Sequence, residues 1–153
     1  ADWLTRNQPQ DYRPGLIHGD CHLGNVMFRH DSGELAALID WELATLGDPR
    51  LDLGWVMATW PDAKGRDTVG MGMTPWDGFP EIETLITRYA ARTTRPLDSA
   101  AWFGVLACYK LGILLEGTYA RSLAGRAPKA VGEQLHAATL ALFERAARMV
   151  ALS

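Results

Sequence analysis

The chain has 153 residues, of which 48% are hydrophobic and 22% are charged, and its formal net charge is −3 at pH 7. This length and composition predict one globular domain with a substantial core. The acidic balance argues against nucleic acid as a partner. We expect no membrane-spanning apolar run and no signal peptide. Two cysteines are too few for a disulfide framework, which favours a cytoplasmic setting.

Residues 1–15 precede the polar loop and its flanking apolar residues. Residues 1–6 have the pattern of a helix end, and residues 7–15 form a polar stretch with two prolines. A chain with this composition is typical of a connection between elements. The informative part of the sequence therefore begins at residue 16.

Residues 16–42 have the pattern of strands around a turn. The apolar residues 16–17 lead into a polar loop that carries Asp20 and Asn25, and the apolar residues 26–28 follow. Asp, Ser and Gly at 31–33 then make a turn, and residues 35–39 return to Asp40. Two strands that bracket a turn bring Asn25 and Asp40 to the same end of the hairpin.

The polar side chains of this segment suit one kind of chemistry. Phosphoryl transfer from a nucleotide needs a carboxylate that accepts the acceptor's proton, and hard oxygen ligands that hold Mg²⁺ on the phosphates. Asp20, Asn25 and Asp40 supply these groups. The pattern therefore favours a Mg²⁺-dependent phosphotransferase.

The remainder of the chain predicts helices and one long loop. An apolar run with helical spacing predicts a helix over 51–60, beneath the polar loop. The Gly-, Pro- and Asp-rich residues 61–79 predict a long loop on the same side. Prolines that precede helical patterns place the remaining helices at 80–92, 98–122 and 128–150.

Three blocks of the sequence resemble the aminoglycoside phosphotransferase family of the protein-kinase-like superfamily. The family's catalytic loop resembles His18-Gly19-Asp20 with Asn25 five residues later. Its metal-binding segment is similar to residues 39–42, and its Gly-Asp-Pro stretch is similar to residues 47–54. The order and spacing of the three blocks make the resemblance specific.

The resemblance implies a role for each site residue. Asp20 corresponds to the catalytic base, and Asn25 and Asp40 correspond to the Mg²⁺ ligands. The supporting residues are His18, which fixes the loop backbone, Glu42, which lies near the metal, and Asp52, which braces the loop from below. The implied cofactors are ATP and Mg²⁺, and the implied partner is a small molecule with an acceptor hydroxyl.

The resemblance also implies an α+β, mainly helical fold, the large C-terminal lobe of a kinase-like enzyme. The N-terminal lobe of such enzymes carries a glycine loop, a strand lysine and a helical glutamate that clamp the nucleotide, and none precedes residue 16. The glycines of residues 70–73 follow no predicted strand. Residues 1–153 are therefore expected to be this lobe alone, inactive by itself, and to bind a separate N-terminal lobe or to self-associate through the uncovered surface. Its expected parts are the hairpin at 16–42, the loop at 61–79 and a helical substrate-side subdomain at 80–150.

Two further segments narrow the resemblance to one branch of the family. Residues 40–49 and 109–121 resemble the branch associated with acyl-CoA dehydrogenases, which implies a hydroxyacyl-CoA as acceptor rather than an aminoglycoside. Six acidic and nine basic residues make 81–153 net positive, which suits an anionic acceptor better than a polycationic antibiotic. An alternative interpretation of residues 109–121 is structural, with a helix face for packing against another helix formed by Tyr109, Gly112, Glu116 and Tyr119. Residues 22–24, His-Leu-Gly, depart from the His-Pro-Gly that is common in relatives.

Other functions remain open from the sequence. His18, Asp20 and His22 alternate along the chain and could bind a transition metal in a hydrolase, but this leaves Asn25 and Asp40 without a role. A second alternative is a catalytically silent binding module. Bound Zn²⁺ would favour the hydrolase, and binding of a partner domain without nucleotide would favour the silent module.

Several residues also have purely structural interpretations. Asp20 could stabilise a turn, and Asp40 could cap a helix that begins near Trp41. Asp48 is expected to cap the helix that follows Pro49. Cys21 has no base partner in the pattern and is expected to take no part in chemistry.

Overall fold

A computed structural model describes residues 1–62 and 78–153. Within these ranges the chain forms five α-helices and four short β-strands. In chain order they are α1 (Asp2–Arg6), β1 (Gly15–Ile17), β2 (Val26–Phe28), β3 (Leu35–Leu38), β4 (Thr45–Gly47), α2 (Arg50–Thr59), α3 (Ile82–Ala90), α4 (Ala100–Leu123) and α5 (Lys129–Leu152). The predicted α+β, mainly helical class is confirmed.

The strands form two antiparallel pairs. β2 and β3 make the predicted hairpin, in which Val26 lies opposite Leu38. β1 pairs instead with β4, with Gly15 opposite Gly47, and the sequence analysis did not predict β4. Three residues are too few for a hydrophobic alternation to stand out, and two of the three are exposed.

The long helices begin and end within two residues of their predicted bounds. The helix expected near Trp41 is wrong, because residues Trp41–Leu43 form a single 3-10 turn. A second 3-10 turn spans Leu23–Asn25. Most of the loop predicted at 61–79, including its glycines at 70 and 72, lies outside the described residues.

The core lies where α2 and α5 pack on α4. Its buried side chains come from all three helices and are Trp55, Ala58, Ala107, Cys108 and Leu142. Glycines allow the close approach, because a Cβ at Gly54 would collide with the backbone of Phe103. A Cβ at Gly112 would lie 2.6 Å from the Phe143 ring.

One expectation about the chain needs correction. α4 is long and apolar enough, by length and composition, to cross a membrane, and the sequence analysis found no such run. Core helices of water-soluble proteins pass the same test. In this fold α4 packs between α2 and α5 and supplies Ala107 and Cys108 to the core.

The start of α2 is fixed by a buried arginine that the sequence analysis did not single out. Arg50 is 1% exposed, and its guanidinium forms ion pairs with Asp48 at 2.7 Å and with Asp11 at 2.9 Å. It also donates to the Pro96 carbonyl at 3.0 Å. The predicted capping by Asp48 is confirmed, because Asp48 Oδ1 accepts a hydrogen bond from the Arg50 backbone N–H at 3.0 Å.

Candidate active site

Asp52 holds the backbone of the polar loop after β1. Its Oδ2 accepts a hydrogen bond from the His18 N–H at 2.7 Å, and its Oδ1 accepts one from the Gly19 N–H at 2.9 Å. Asp52 lies in the first turn of α2, so the rigid helix fixes two consecutive peptides. A carboxylate with two charge-assisted hydrogen bonds sets the loop conformation strongly.

Gly19 allows the chain to turn towards Asp20. Its φ is +87°, in the left-handed region that favours glycine. A Cβ at this position would also lie 2.5 Å from the Leu43 carbonyl oxygen. The loop therefore packs directly against the segment that follows Asp40.

The Asp20 carboxylate is surrounded by N–H groups from three directions. Its Oδ1 accepts from Trp55 Nε1 at 2.8 Å, and its Oδ2 lies 3.3 Å from Asn25 Nδ2 and 3.4 Å from His22 Nε2. His22 Nδ1 accepts from the Gly24 N–H at 3.0 Å, which leaves Nε2 as the donor in the neutral ring. These donors orient an ionised carboxylate, as a general base requires.

Asn25 is buried, and its amide orientation is determined by its partners. Nδ2 donates to the Asp20 carbonyl oxygen at 3.0 Å, a contact that only the nitrogen of the amide can make. Within residues 1–62 and 78–153, Asn25 Oδ1 accepts no hydrogen bond, and it is not a fully buried atom. This oxygen is free to bind a hard cation.

His18 connects the loop to the end of β3. Its ring Nε2 lies 2.8 Å from the Ile39 carbonyl oxygen, and its Nδ1 accepts from the Asp20 N–H at 3.3 Å. The ring also packs on Trp41, with centroids 4.7 Å apart. Both nitrogens are therefore engaged, and His18 has no free nitrogen with which to bind a metal.

The hydrolase arrangement is not present in the described part of the chain. His18 makes the backbone contacts given above, while the two ring nitrogens of His22 contact the Asp20 carboxylate and the Gly24 N–H. Across residues 1–62 and 78–153, no three His, Cys, Asp or Glu side chains are grouped as a metal site. The alternation of His18, Asp20 and His22 along the chain therefore reflects a loop held by hydrogen bonds.

Asp40 is exposed and stands directly after a residue that is tied to the loop. Ile39 donates its N–H to the Asn25 carbonyl at 3.0 Å and accepts from His18 through its own carbonyl. The Asp40 backbone has φ +65°, an unusual value for a residue with a Cβ. Its side chain makes no capping hydrogen bond, so the alternative interpretation of Asp40 as a helix cap is not supported.

The carboxylates of Asp40 and Glu42 have no ion-pair or hydrogen-bond partner among the described residues, and both residues are exposed. The backbone of Ile39, the residue before Asp40, bonds to Asn25, and carboxylate and amide oxygens without protein partners are the ligand types that Mg²⁺ prefers. Mg²⁺ typically binds through one or two protein oxygens and keeps several waters. The residues present therefore fit this ion.

Cys21 lies inside the loop but is poorly suited to nucleophilic chemistry. Burial, together with the nearby charges of Asp52 and Asp20, raises the pKa of its thiol to about 11. The thiolate is the reactive form of cysteine. Cys21 is therefore protonated at neutral pH.

The site contains one contact that the sequence analysis missed. Trp55 is 6% exposed and belongs to the core, yet its Nε1 reaches Asp20. Its position three residues after Asp52 puts both side chains on one face of α2. The sequence could have pointed to Trp55 through this spacing, because Asp52 was already expected to lie beneath the loop.

The face of α4 that resembled the acyl-CoA-dehydrogenase branch packs on α5. Tyr109 lies 6.4 Å from the Phe143 ring, and the Glu116 carboxylate lies 2.9 Å from His136 Nδ1. Tyr119 stacks on the same histidine at 4.2 Å. The helix-packing interpretation of this spacing is confirmed.

Comparisons with known proteins identify the fold and the family. The chain superposes with a TM-score of 0.76 and 27% identity on a crystal structure from Ralstonia eutropha that was assigned as an aminoglycoside phosphotransferase. The match covers 96% of this chain and 47% of that one. The fold is therefore the kinase-like one, and the chain corresponds to one part of it.

Residues 1–83 match the sequence model of the phosphotransferase enzyme family, and the chain belongs to that family. Acyl-CoA dehydrogenase family member 11 from Rattus norvegicus is 34% identical over 130 residues, and member 10 from Mus musculus is 30% identical over 142. These matches cover 82% and 86% of this chain but only 17% and 13% of the relatives. The resemblance to the acyl-CoA-dehydrogenase branch is confirmed.

Proposed function

We propose that this chain is the catalytic and acceptor-binding lobe of an ATP- and Mg²⁺-dependent phosphotransferase that phosphorylates a hydroxyl group. The observation that supports this most strongly is the Asp20 carboxylate, which Trp55 and Asn25 orient within a loop that Asp52 holds by its backbone. A positioned base next to free oxygen ligands is the arrangement that phosphoryl transfer needs.

In this proposal Asp20 acts through Oδ2. Trp55 occupies Oδ1, whereas Oδ2 has only the longer contacts to Asn25 and His22. The acceptor hydroxyl would donate its hydrogen bond to Oδ2 and pass its proton there as its oxygen bonds to the γ-phosphorus of ATP, while the bond from that phosphorus to the bridging oxygen breaks and ADP leaves. Asn25 and His22 keep the carboxylate facing the acceptor.

Asn25 Oδ1 and the Asp40 carboxylate would hold Mg²⁺, and Glu42 would contact its waters. When bound, the ion neutralises charge on the phosphates of ATP. The unusual backbone of Asp40 supports this role, since strained residues persist where function requires them. We propose that residues 1–153 need a nucleotide-clamping lobe for turnover of ATP, because positioning of the triphosphate supplies most of the catalysis in phosphoryl transfer.

We propose a hydroxyacyl-CoA as the acceptor. Two observations support it, namely the similarity to acyl-CoA dehydrogenase family members 10 and 11 and the excess of basic residues in 81–153. An aminoglycoside is the second candidate, because the neighbour from Ralstonia eutropha carries that assignment. Its positive charge suits the basic helices less well.

The test compares two variants in a form of the enzyme that includes a nucleotide-binding lobe. Asp20→Asn is expected to lower kcat by about 10²- to 10⁴-fold, the range typical of a lost general base, with little change in affinity for ATP. Asp40→Asn is expected to raise the Mg²⁺ concentration needed for half-maximal activity. Steady-state kinetics with a Mg²⁺ titration measure both effects.

Asp31→Asn is the matched control, because Asp31 forms an exposed ion pair with Arg29 in the β2–β3 turn. It should leave kcat and the Mg²⁺ dependence unchanged. If Asp20→Asn and Asp40→Asn gave the same Mg²⁺ titration, the proposed division of roles would be wrong. A catalytically silent module would bind no Mg²⁺-nucleotide in any variant.

A further inference from the structure

Lys110 is a cation of α4 that lies beside the candidate site. Its ammonium is 5.7 Å from the centroid of the Trp55 ring, and the same indole donates to Asp20 at 2.8 Å. Both groups contact the same indole, which separates the ammonium from the Asp20 carboxylate by on the order of one Debye length, about 10 Å in 0.1 M salt. A ligand that reaches Asp20 experiences the charge of Lys110.

Lys110 is exposed, and no carboxylate of the described residues forms an ion pair with it. Other cations near α2 already have partners. Arg50 is buried between Asp48 and Asp11, and Arg145 donates to three carbonyls at the end of α2. The charge of Lys110 is thus available to a ligand.

The face of α4 beyond Lys110 is open as well. α2 packs against the first half of α4, and residues four and seven positions after Lys110 continue the same face. Leu114 is 62% exposed, and a Cβ at Gly117 would meet nothing within 4 Å. Arg121 places a second exposed cation on this face. This face of α4 therefore carries the exposed Leu114 and the two exposed cations Lys110 and Arg121.

We infer that Lys110 binds an anionic group of the acceptor, a phosphate or a carboxylate, while the acceptor's hydroxyl is presented to Asp20. The inference rests on the proposed function, since it names the acceptor side of the same site. Trp55 connects Lys110 to Asp20, because its indole contacts the Lys110 ammonium and donates to the Asp20 carboxylate. A cation at this point attracts an anionic acceptor and disfavours a polycationic one.

Isothermal titration calorimetry on the 153-residue chain tests the inference without any need for turnover. The probes are 3-hydroxybutyryl-CoA, 3-hydroxybutyrate and kanamycin, which distinguish a phosphate-bearing, a carboxylate-bearing and a polycationic ligand. The variants are Lys110→Gln, Lys110→Arg and the control Lys129→Gln, whose side chain is exposed on α5 and pairs only with Glu133 among the described residues.

We expect Lys110→Gln to weaken binding of 3-hydroxybutyryl-CoA, 3-hydroxybutyrate or both by about tenfold. Lys110→Arg should retain most of the affinity because it keeps the charge, and Lys129→Gln should retain all of it. The dependence of log Kd on log salt should be less steep for Lys110→Gln than for the wild type. The anionic probe that is affected identifies the group that Lys110 binds.

Three results would each overturn the inference. The wild type and Lys110→Gln could bind the anionic probes with equal affinity, the wild type could bind neither anionic probe, or the chain could bind kanamycin preferentially. These results are separable from a failure of the proposed function. Lys110-dependent binding together with full turnover in Asp20→Asn would reject the phosphotransfer mechanism and leave the anion site. Loss of turnover in Asp20→Asn with no effect of Lys110→Gln would reject the anion site and leave the phosphotransfer mechanism.

Discussion

At the scale of single residues, Trp55 connects the stability of the fold to the geometry of the site. Its ring belongs to the core with Ala107 and Leu142, while its Nε1 is the shortest hydrogen-bond donor to the Asp20 carboxylate. The packing of α2 on α4 therefore also sets the orientation of Asp20, the proposed general base.

We therefore expect Trp55→Phe to lower kcat by roughly tenfold in an enzyme form with a nucleotide-binding lobe, because the ring packing remains but about 1.5 kcal/mol of hydrogen bonding to the Asp20 carboxylate is lost. The matched control is Trp102→Phe, since Trp102 Nε1 makes an equivalent 2.8 Å bond to the Leu4 carbonyl. Turnover assays and thermal melts of both variants measure the effects. Equal losses of kcat in the two variants would show that the Asp20 contact has no special role.

Much of the site's inventory could be predicted from the sequence, because the chemistry depends on residue types at short spacings. Asp20, Asn25 and Asp40 lie within 21 residues of one another, so a local motif contains them. The contacts that orient them are different in kind. Trp55, 35 residues after Asp20, donates to it from α2. Lys110, 90 residues after Asp20, contacts the Trp55 ring, and the packing of α2 on α4 brings these residues together.

At the scale of elements, polar contacts of Arg50 connect the start of α2 to two other segments of the chain. Arg50 joins the N-terminal segment through Asp11 and the segment before α4 through Pro96. Burial works to raise the pKa of Asp48, but the hydrogen bonds from Arg50 outweigh it and hold that pKa below its usual 3.8. Asp48 therefore stabilises the fold in its ionised form.

The sign of the pH dependence follows from this lowered pKa. The stabilisation by Asp48 is fully present above pH 3.8 and is lost as the pH falls through the lower pKa of the folded state. We expect Asp48→Asn to lower the free energy of unfolding by about 3 kcal/mol at pH 7, since it leaves Arg50 buried with one partner fewer. Urea denaturation at pH 7, 5 and 3 should show this difference shrinking at the lowest pH.

Asp31→Asn serves as the control for this series, because Asp31 forms an exposed pair with Arg29. At each pH, Asp31→Asn should have the same urea midpoint as the wild type. If the difference in free energy of unfolding between Asp48→Asn and the wild type stayed constant from pH 7 to pH 3, the conclusion that Asp48 stabilises the fold in its ionised form would be contradicted.

Elements differ in how well the sequence predicts them. α4 and α5 each have 24 residues, which is long enough for helical periodicity and the preceding prolines to mark them. β4 has three residues and depends on its pairing with β1 across the chain. The segment after Asp40 has helical propensity, yet it stops after one 3-10 turn because residues 45–47 pair as a strand.

At the scale of the whole molecule, apolar side chains are unevenly distributed. Large exposed ones concentrate on the two strand pairs and their connections. They include Leu46 at 77%, Leu16 at 62%, Leu35 at 58%, Phe28 at 56% and Leu43 at 53% exposure. We name this set the strand surface. Where exposed apolar side chains form a contiguous patch, they mark an interaction site more often than free surface.

We propose that the strand surface binds a nucleotide-clamping lobe, and that copies of the chain self-associate through it when no such lobe is present. Sedimentation equilibrium from 1 to 100 μM should show reversible dimers of the 153-residue chain. Leu46→Ser combined with Phe28→Ser should weaken dimerisation by at least about tenfold, since each removes apolar area worth about 1 kcal/mol or more on burial.

Leu152→Ser is the control for self-association, because Leu152 is 90% exposed at the end of α5 and lies outside the strand surface. Its dimerisation constant should equal that of the wild type. Circular dichroism would check that the double variant keeps its helices, because α2, α4 and α5 form a core that does not include Phe28 or Leu46. A chain that stayed monomeric throughout, or dimers that the double variant left intact, would place the association surface elsewhere.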